Sequence, residues 1–119
     1  MDEKISTADR RAAAICAAVR AIKRGSFLSY GEVARRAGLP GRARLVGKVL
    51  REAGDARPKL PWHRVTAAGG RIAFPAGSAS ARRQLRLLAR EGIETRGNRA
   101  VVKRRSAGAR SLDALLWKL

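Results

Sequence analysis

Few groups in the chain can do chemistry. Its 119 residues hold one histidine, His63, and one cysteine, Cys16. A thiolate is a nucleophile and an imidazole is a base near neutral pH. His63 stands inside Leu60-Pro61-Trp62-His63-Arg64-Val65, flanked by an indole and a guanidinium. Indole offers an N–H donor and no nucleophilic lone pair. Cys16 falls on the inward side of a helical pattern and reads as a small buried hydrophobe. With one His, one Cys and few clustered acids, neither a metal site nor a cofactor is expected, and an intrachain disulfide is impossible. No nucleophile-elbow pattern surrounds a serine. The stretch from Gly41 to Lys48 fails as a phosphate-binding loop. Gly47 sits one residue too far from Gly41, and Val49 stands where a magnesium-holding hydroxyl is required.

Charge points to the partner instead. Lys and Arg number 27 against 9 Asp and Glu, a net +18 at pH 7. Such a field attracts polyanions, and nucleic acid rewards each cation by releasing a counterion. An anionic membrane surface fits less well, because the first helical pattern is alanine-rich and has no bulky aromatic face. Nor does any apolar run approach membrane-spanning length. The opening Met1-Asp2-Glu3-Lys4 is unlike a signal peptide, so a cytoplasmic, nucleoid-associated protein is expected. The length suits a single domain, taken as 1–119 with a core of about 6–95 and a basic extension over 96–119.

The elements that must position these groups follow from the pattern. Ser6 and Asp9 open a helix, Ala12, Ile15, Val19 and Ile22 give its stripe, and Gly25 closes it after Lys23 and Arg24. Ser29-Tyr30-Gly31-Glu32 is a capping-box start for a second helix with Val33, Ala34 and Ala37 inward. Gly38-Leu39-Pro40-Gly41 turns the chain into a third helix from about Arg42, with Ala43, Val46 and Leu50 as its stripe and Gly54 at its end. The pair reads as a helix-turn-helix whose second member carries Arg42, Arg44, Lys48 and Arg51. An ordinary helical hairpin with a solvated basic face fits the pattern equally well. Beyond the 60–65 motif, Gly69-Gly70 predicts a tight turn and Pro75–Gly77 a break. A fourth helix runs from Ser78 or Ser80 to Glu91 with Leu85, Leu88 and Ala89 inward and Gly92 at its close. Gly97-Asn98 predicts a small hairpin. Residues 103–110 read as a basic tail, and 111–117 as one last helical turn.

The motif Leu60-Pro61-Trp62-His63-Arg64-Val65 resembles the active-site signature of the O6-alkylguanine-DNA alkyltransferases, where Pro-Cys-His-Arg is found. Three further blocks resemble that family in the same order: Ser29-Tyr30-Gly31-Glu32-Val33-Ala34, Ala43-Arg44-Leu45-Val46-Gly47, and Leu87-Leu88-Ala89-Arg90-Glu91-Gly92. The match spans roughly residues 8–95, the family's DNA-binding half, and its separate N-terminal domain has no counterpart. The Pro-Trp-His-Arg variant is similar to the alkyltransferase-like proteins, non-transferring relatives that bind alkylated guanine.

This resemblance implies a mainly α fold with short β segments, a winged-helix-like helix-turn-helix domain similar to the family's C-terminal domain. It implies that Trp62 stands where the reactive cysteine would be, so alkyl transfer is not expected. His63 and Glu91 match the histidine and glutamate that activate that thiol, and Arg64 is assigned to the same structural network. Tyr30 matches a tyrosine that crowds the phosphate beside the target and promotes rotation of the base. Arg44 matches an arginine that fills the vacated space. Tyr30, Pro61, Trp62, His63, Val65 and Arg71 are expected around a lesion pocket, and Tyr30, Arg42, Arg44, Lys48 and Arg51 on DNA. Some relatives carry an arginine after the motif, against the flipped base; Pro75 occupies that position by counting, with Arg71 as a substitute. The segment Gly54 to Lys59 lacks the asparagine hinge of the transferases. The expected partners are double-stranded DNA containing O6-alkylguanine and nucleotide excision repair proteins, with a monomeric chain and no membrane contact. Two rivals stand beside this reading. One is a helix-turn-helix or nucleoid protein indifferent to damage; the other is an enzyme, either a transferase using Cys16 or a glycosylase.

Overall fold

A computed structural model describes residues 6–53 and 59–101. The helix end at Gly54, the hinge segment up to Pro58, the basic tail and the last helical turn lie outside the described residues. Helix α1 spans Thr7–Arg20 and strand β1 Leu28–Ser29, followed at once by α2, Tyr30–Arg36. Helix α3 covers Ala43–Glu52, β2 covers Val65–Thr66, and α4 covers Ala79–Arg90. Short 3-10 turns occupy Trp62–Arg64 and Ala68–Gly70. The domain is mainly helical with short strands, as the pattern predicts, and α2 and α3 form the helix-turn-helix.

Side-chain caps set where the helices begin. The hydroxyl of Ser6 accepts from the Asp9 N–H at 3.0 Å, and that of Ser78 from the Ala81 N–H at 3.2 Å. Ser29 and Glu32 close a reciprocal capping box, so two otherwise orphaned backbone donors are satisfied. Two of the helices end alike. After α2, Gly38 takes φ +80° while its N–H reaches the Arg35 carbonyl and the Leu39 N–H the Ala34 carbonyl. After α4, Gly92 takes φ +84°, with its N–H on Ala89 and the Ile93 N–H on Leu88. This paired closure is the Schellman geometry, which needs a left-handed residue that glycine supplies without strain. In α4 it fixes Glu91 at the cap.

Helix α1 stops earlier than the pattern predicts. It ends at Arg20 with Ala21 as cap, and the chain turns before Gly25. Tertiary bonds override the periodicity: the Ile22 carbonyl accepts from Arg64 at 2.9 Å, and the Gly25 N–H reaches Glu91 at 3.2 Å. The stripe of α3 is also rotated. Val46 and Val49 are buried, while Ala43 and Leu50 are half-buried. In α4 the inward face is Ala81, Gln84 and Leu88, with Leu85 half-buried and Ala89 exposed.

Two apolar clusters result. Ile15, Val19 and Ile22 of the first segment pack with Val33, Ala34, Val46, Val49, Leu60 and Val65, and Cys16 packs partly buried against them. Ile72, Ala81, Leu88, Ile93 and Ala100 form the second, flanked by Phe27, Phe74 and Leu85. The strands β1 and β2 join the two halves by a parallel pairing, Leu28 with Val65 and Ser29 with Thr66. The predicted hairpin around Gly97-Asn98 is present as an antiparallel bridge between Thr95 and Ala100, and Arg71 bridges to Arg99.

Candidate nucleic-acid interface and base pocket

The two-residue ladder does more than join halves. Ser29 is the cap of α2, so Tyr30 begins that helix, and Thr66 lies just past the Trp62–Arg64 turn. Pairing Ser29 with Thr66 therefore brings Tyr30 and Trp62, far apart in sequence, to one place. Between them lies a cavity of about 460 Å3, lined by Tyr30, Gly47, Leu50, Arg51, Lys59, Trp62, Ala73, Phe74, Ser80 and Arg83. That volume falls within the roughly 300–1,000 Å3 usual for small-molecule sites.

Its apolar wall is aromatic. Phe74 meets the Trp62 ring edge-to-face at 6.2 Å between centroids, and His63 meets it at the same distance and nearly the same angle. The Arg83 guanidinium lies 5.7 Å from the Trp62 ring centroid, in cation–π range. Burial pushes the Tyr30 phenol above its ordinary value of 10.0, with Arg51 pulling the other way. The phenol therefore stays protonated at neutral pH and can donate a hydrogen bond to an anion.

Behind the indole lies a compact polar network. Glu91 accepts from the Nε2 of His63 at 2.7 Å and from Arg64 through Nε and Nη2, the latter at 2.8 Å. Arg64 also donates to the Ile22 carbonyl. Burial alone would raise the Glu91 carboxyl. The hydrogen bonds from Arg64, His63 and the Gly25 N–H outweigh it and hold the group at about 2, below its usual 4.5. Gln84 supports the motif from below: its amide donates to the carbonyls of His63 at 3.0 Å and Val65 at 2.9 Å.

The predicted pocket residues separate into groups. Tyr30 and Trp62 line the cavity. His63 is drawn back from it into the Glu91 network, which is also where Arg64 lies. Pro61 starts the 3-10 turn and is half-buried outside the lining. Val65 belongs to the core, 1% exposed, because β2 runs inside the domain. Arg71 faces a different cleft, with Arg96, Asn98 and Arg99, because the bridge to Arg99 and a bond to the Ala68 carbonyl carry it there. Pro75 is exposed and outside the cavity lining.

The basic residues of α3 fall on one row. Arg44, Lys48 and Arg51 are spaced i, i+4, i+7, one face of a helix. Their row extends about 10 Å at 1.5 Å per residue. At its start, Arg42, Arg44 and Lys48 surround a shallow cleft with Gly41; at its end, Arg51 is in the cavity wall.

Sequence reasoning missed Phe74, Arg83 and Gln84. Nothing distinguishes Arg83 within the Arg82-Arg83 pair. Gln84 had a readable signal, lying between Ala81 and Leu88 at helical spacing on the apolar side.

Known proteins resemble this chain in sequence and fold. The DNA-binding domain of 6-O-methylguanine DNA methyltransferase matches residues 11–93. A DNA base-flipping protein of Vibrio parahaemolyticus is 41% identical over 80 residues, 67% of this chain and 77% of that protein. Alkyltransferase-like protein 1 of Schizosaccharomyces pombe is 39% identical over 77 residues, 65% of this chain and 70% of that protein. Among solved structures, S. pombe Atl1 in complex with damaged DNA containing O6-carboxymethylguanine superposes with a TM-score of 0.68 at 32% identity. That alignment covers 86% of this chain and 91% of the other. The chain belongs to the family of the 6-O-methylguanine DNA methyltransferase DNA-binding domain, among its alkyltransferase-like members.

Proposed function

We propose that this protein binds double-stranded DNA containing O6-alkylguanine, turns the damaged base out of the stack and holds it in the cavity between Tyr30 and Trp62 without accepting the alkyl group. The observation that carries the reading is Trp62 itself. It forms an aromatic wall of the cavity beside the His63–Glu91 pair, where a transferase of this family would need sulfur. Transfer requires a thiolate, and an indole cannot form the thioether. The remaining thiol, Cys16, is on α1 and packed against the main core.

Each expected role has a physical basis. Extruding a base costs a few kcal/mol, and less for a damaged one. Tyr30 stands at the first position of α2 with a protonated phenol for the neighbouring phosphate. Arg44, exposed on α3, enters the gap left in the stack, while Arg42, Lys48 and Arg51 hold phosphates. Contacts of this kind carry little sequence information, which suits recognition of a lesion anywhere. The long-lived complex of a monomer then marks the site for nucleotide excision repair.

Competition between duplexes differing only in one O6-methylguanine, at fixed salt, tests the reading. We expect the lesion duplex to bind more tightly, with no label passing from an alkyl-labelled lesion to the protein. Equal affinities would instead favour a damage-indifferent nucleoid protein; label on the chain, or a released base, would establish an enzyme.

A further inference from the structure

We propose that the cavity discriminates among O6 adducts by charge, favouring a substituent that ends in a carboxylate, and that Arg83 is the residue that reads it. The inference rests on the functional reading above and extends it to the class of lesion preferred.

The lining is unbalanced. Arg51, Lys59 and Arg83 face the cavity, and among the described residues no Asp or Glu does. Among the described residues none of the three is in an ion pair. The nearby acid of the motif region, Glu91, is sequestered: its side chain is 6% exposed and held by Arg64 and His63. A group entering the cavity therefore meets three cations and, among the described residues, no free carboxylate.

The three cations are not equivalent. Arg51 closes the α3 row of basic residues that faces phosphates, and Lys59 is exposed beside it in the lining. Arg83 comes from α4, a separate element, and its guanidinium lies against the Trp62 ring. Beside the ring, the guanidinium keeps an N–H edge for a planar anion. Two parallel N–H···O bonds to a carboxylate fit that edge. A neutral alkyl group gains only the aromatic wall of Trp62 and Phe74, whereas a carboxylate gains the wall and the pair. Burying that carboxylate without the cation would cost affinity.

Two duplexes of one sequence test this, one with O6-carboxymethylguanine and one with the neutral isostere O6-carbamoylmethylguanine. Plain and O6-methylguanine duplexes serve as references. The full chain is expected to bind the carboxymethyl duplex about threefold to tenfold more tightly than the isostere, the range of a partly exposed charged pair. The ratio should narrow as salt is raised. Arg83→Gln should bring it to about one, Arg83→Lys should keep part of it, and Arg86→Gln, which removes a charge outside the lining, should leave it in place. A wild-type ratio of one or less, or a ratio unmoved by Arg83→Gln, overturns the proposal. If O6-methylguanine is still preferred over plain DNA in that case, only the charge reading falls. Indifference to every adduct removes the functional reading itself.

Discussion

The Nε2 of His63 lies 2.7 Å from the Glu91 carboxylate, and Arg64 grips the same carboxylate from the other side. An ionised carboxylate can only accept, so His63 donates from Nε2 and Glu91 fixes the orientation of its ring. The network ties the motif to the end of α4 and, through Ile22 and Gly25, to the end of α1. It is a brace for the indole.

That brace has a pH signature. Glu91 is held at about 2 in the fold against 4.5 for the free side chain. A carboxyl depressed in this way stabilises the fold fully above pH of about 4.5, and the contribution is lost as pH falls from there toward about 2. Thermal melts of wild type and Glu91→Gln across that window should therefore converge on acidification. At neutral pH the variant should be less stable by about 2 kcal/mol, the value of charged hydrogen bonds exchanged for weaker ones. A constant gap between the two across the window would show that Glu91 is not the titrating brace.

Trp62 supplies cavity wall more than core. Its ring contacts are with Phe74, His63 and Arg83, and it is half-buried. Trp62→Ala should weaken binding of the O6-methylguanine duplex by about 1–3 kcal/mol, the range for losing one stacking surface, while plain duplex binding changes far less. Fluorescence anisotropy with both duplexes measures the difference. A parallel loss on both would place the indole outside the base site.

Much of this was legible in the sequence. The capping residues Ser29 and Glu32 and the glycines Gly38 and Gly92 read correctly, because they act through local backbone geometry, whereas Gly25 does not close α1. The ends and rotations of helices did not read as well. Helix α1 stops early, and the Gly25 N–H that would have closed it is bonded instead to Glu91, 66 positions away. Leu50, inward by spacing, packs half-buried against the first cluster and also lines the cavity. Of the candidate site, Tyr30 and Trp62 were found through their motifs, whereas Phe74 and Arg83 carry no local pattern and reach the cavity only through tertiary packing. Val65 and Arg71 were assigned to the pocket through the family resemblance, Arg71 as a substitute for an arginine after the motif; the strand places Val65 in the core and the bridge to Arg99 carries Arg71 to another cleft.

The row on α3 makes a separable prediction. Arg44→Ala should reduce affinity for the lesion duplex more than Lys48→Ala does, because a residue filling the vacated stack acts only when a base is out. Lys48→Ala should weaken lesion and plain duplexes alike and lower the salt slope by about 1. Titrations at several salt concentrations check both. Indistinguishable losses would assign both residues to phosphate contact.

Gln84 tests how the motif is held in place. It is 1% exposed, and its amide serves two carbonyls of the His63–Val65 segment. Gln84→Leu keeps the volume approximately and removes the donor. The Val65 carbonyl sits in a buried residue, so losing its partner costs its desolvation, about 1–3 kcal/mol. Urea melts should show that loss with an unchanged slope. Because the displaced segment carries Trp62 and borders β2, lesion preference should fall along with stability. By contrast, Ala89→Leu on the exposed side of α4 should change neither. A Gln84→Leu variant that melts like wild type and keeps its preference would mean that the 3-10 turn and the Glu91 network hold the indole without help from α4.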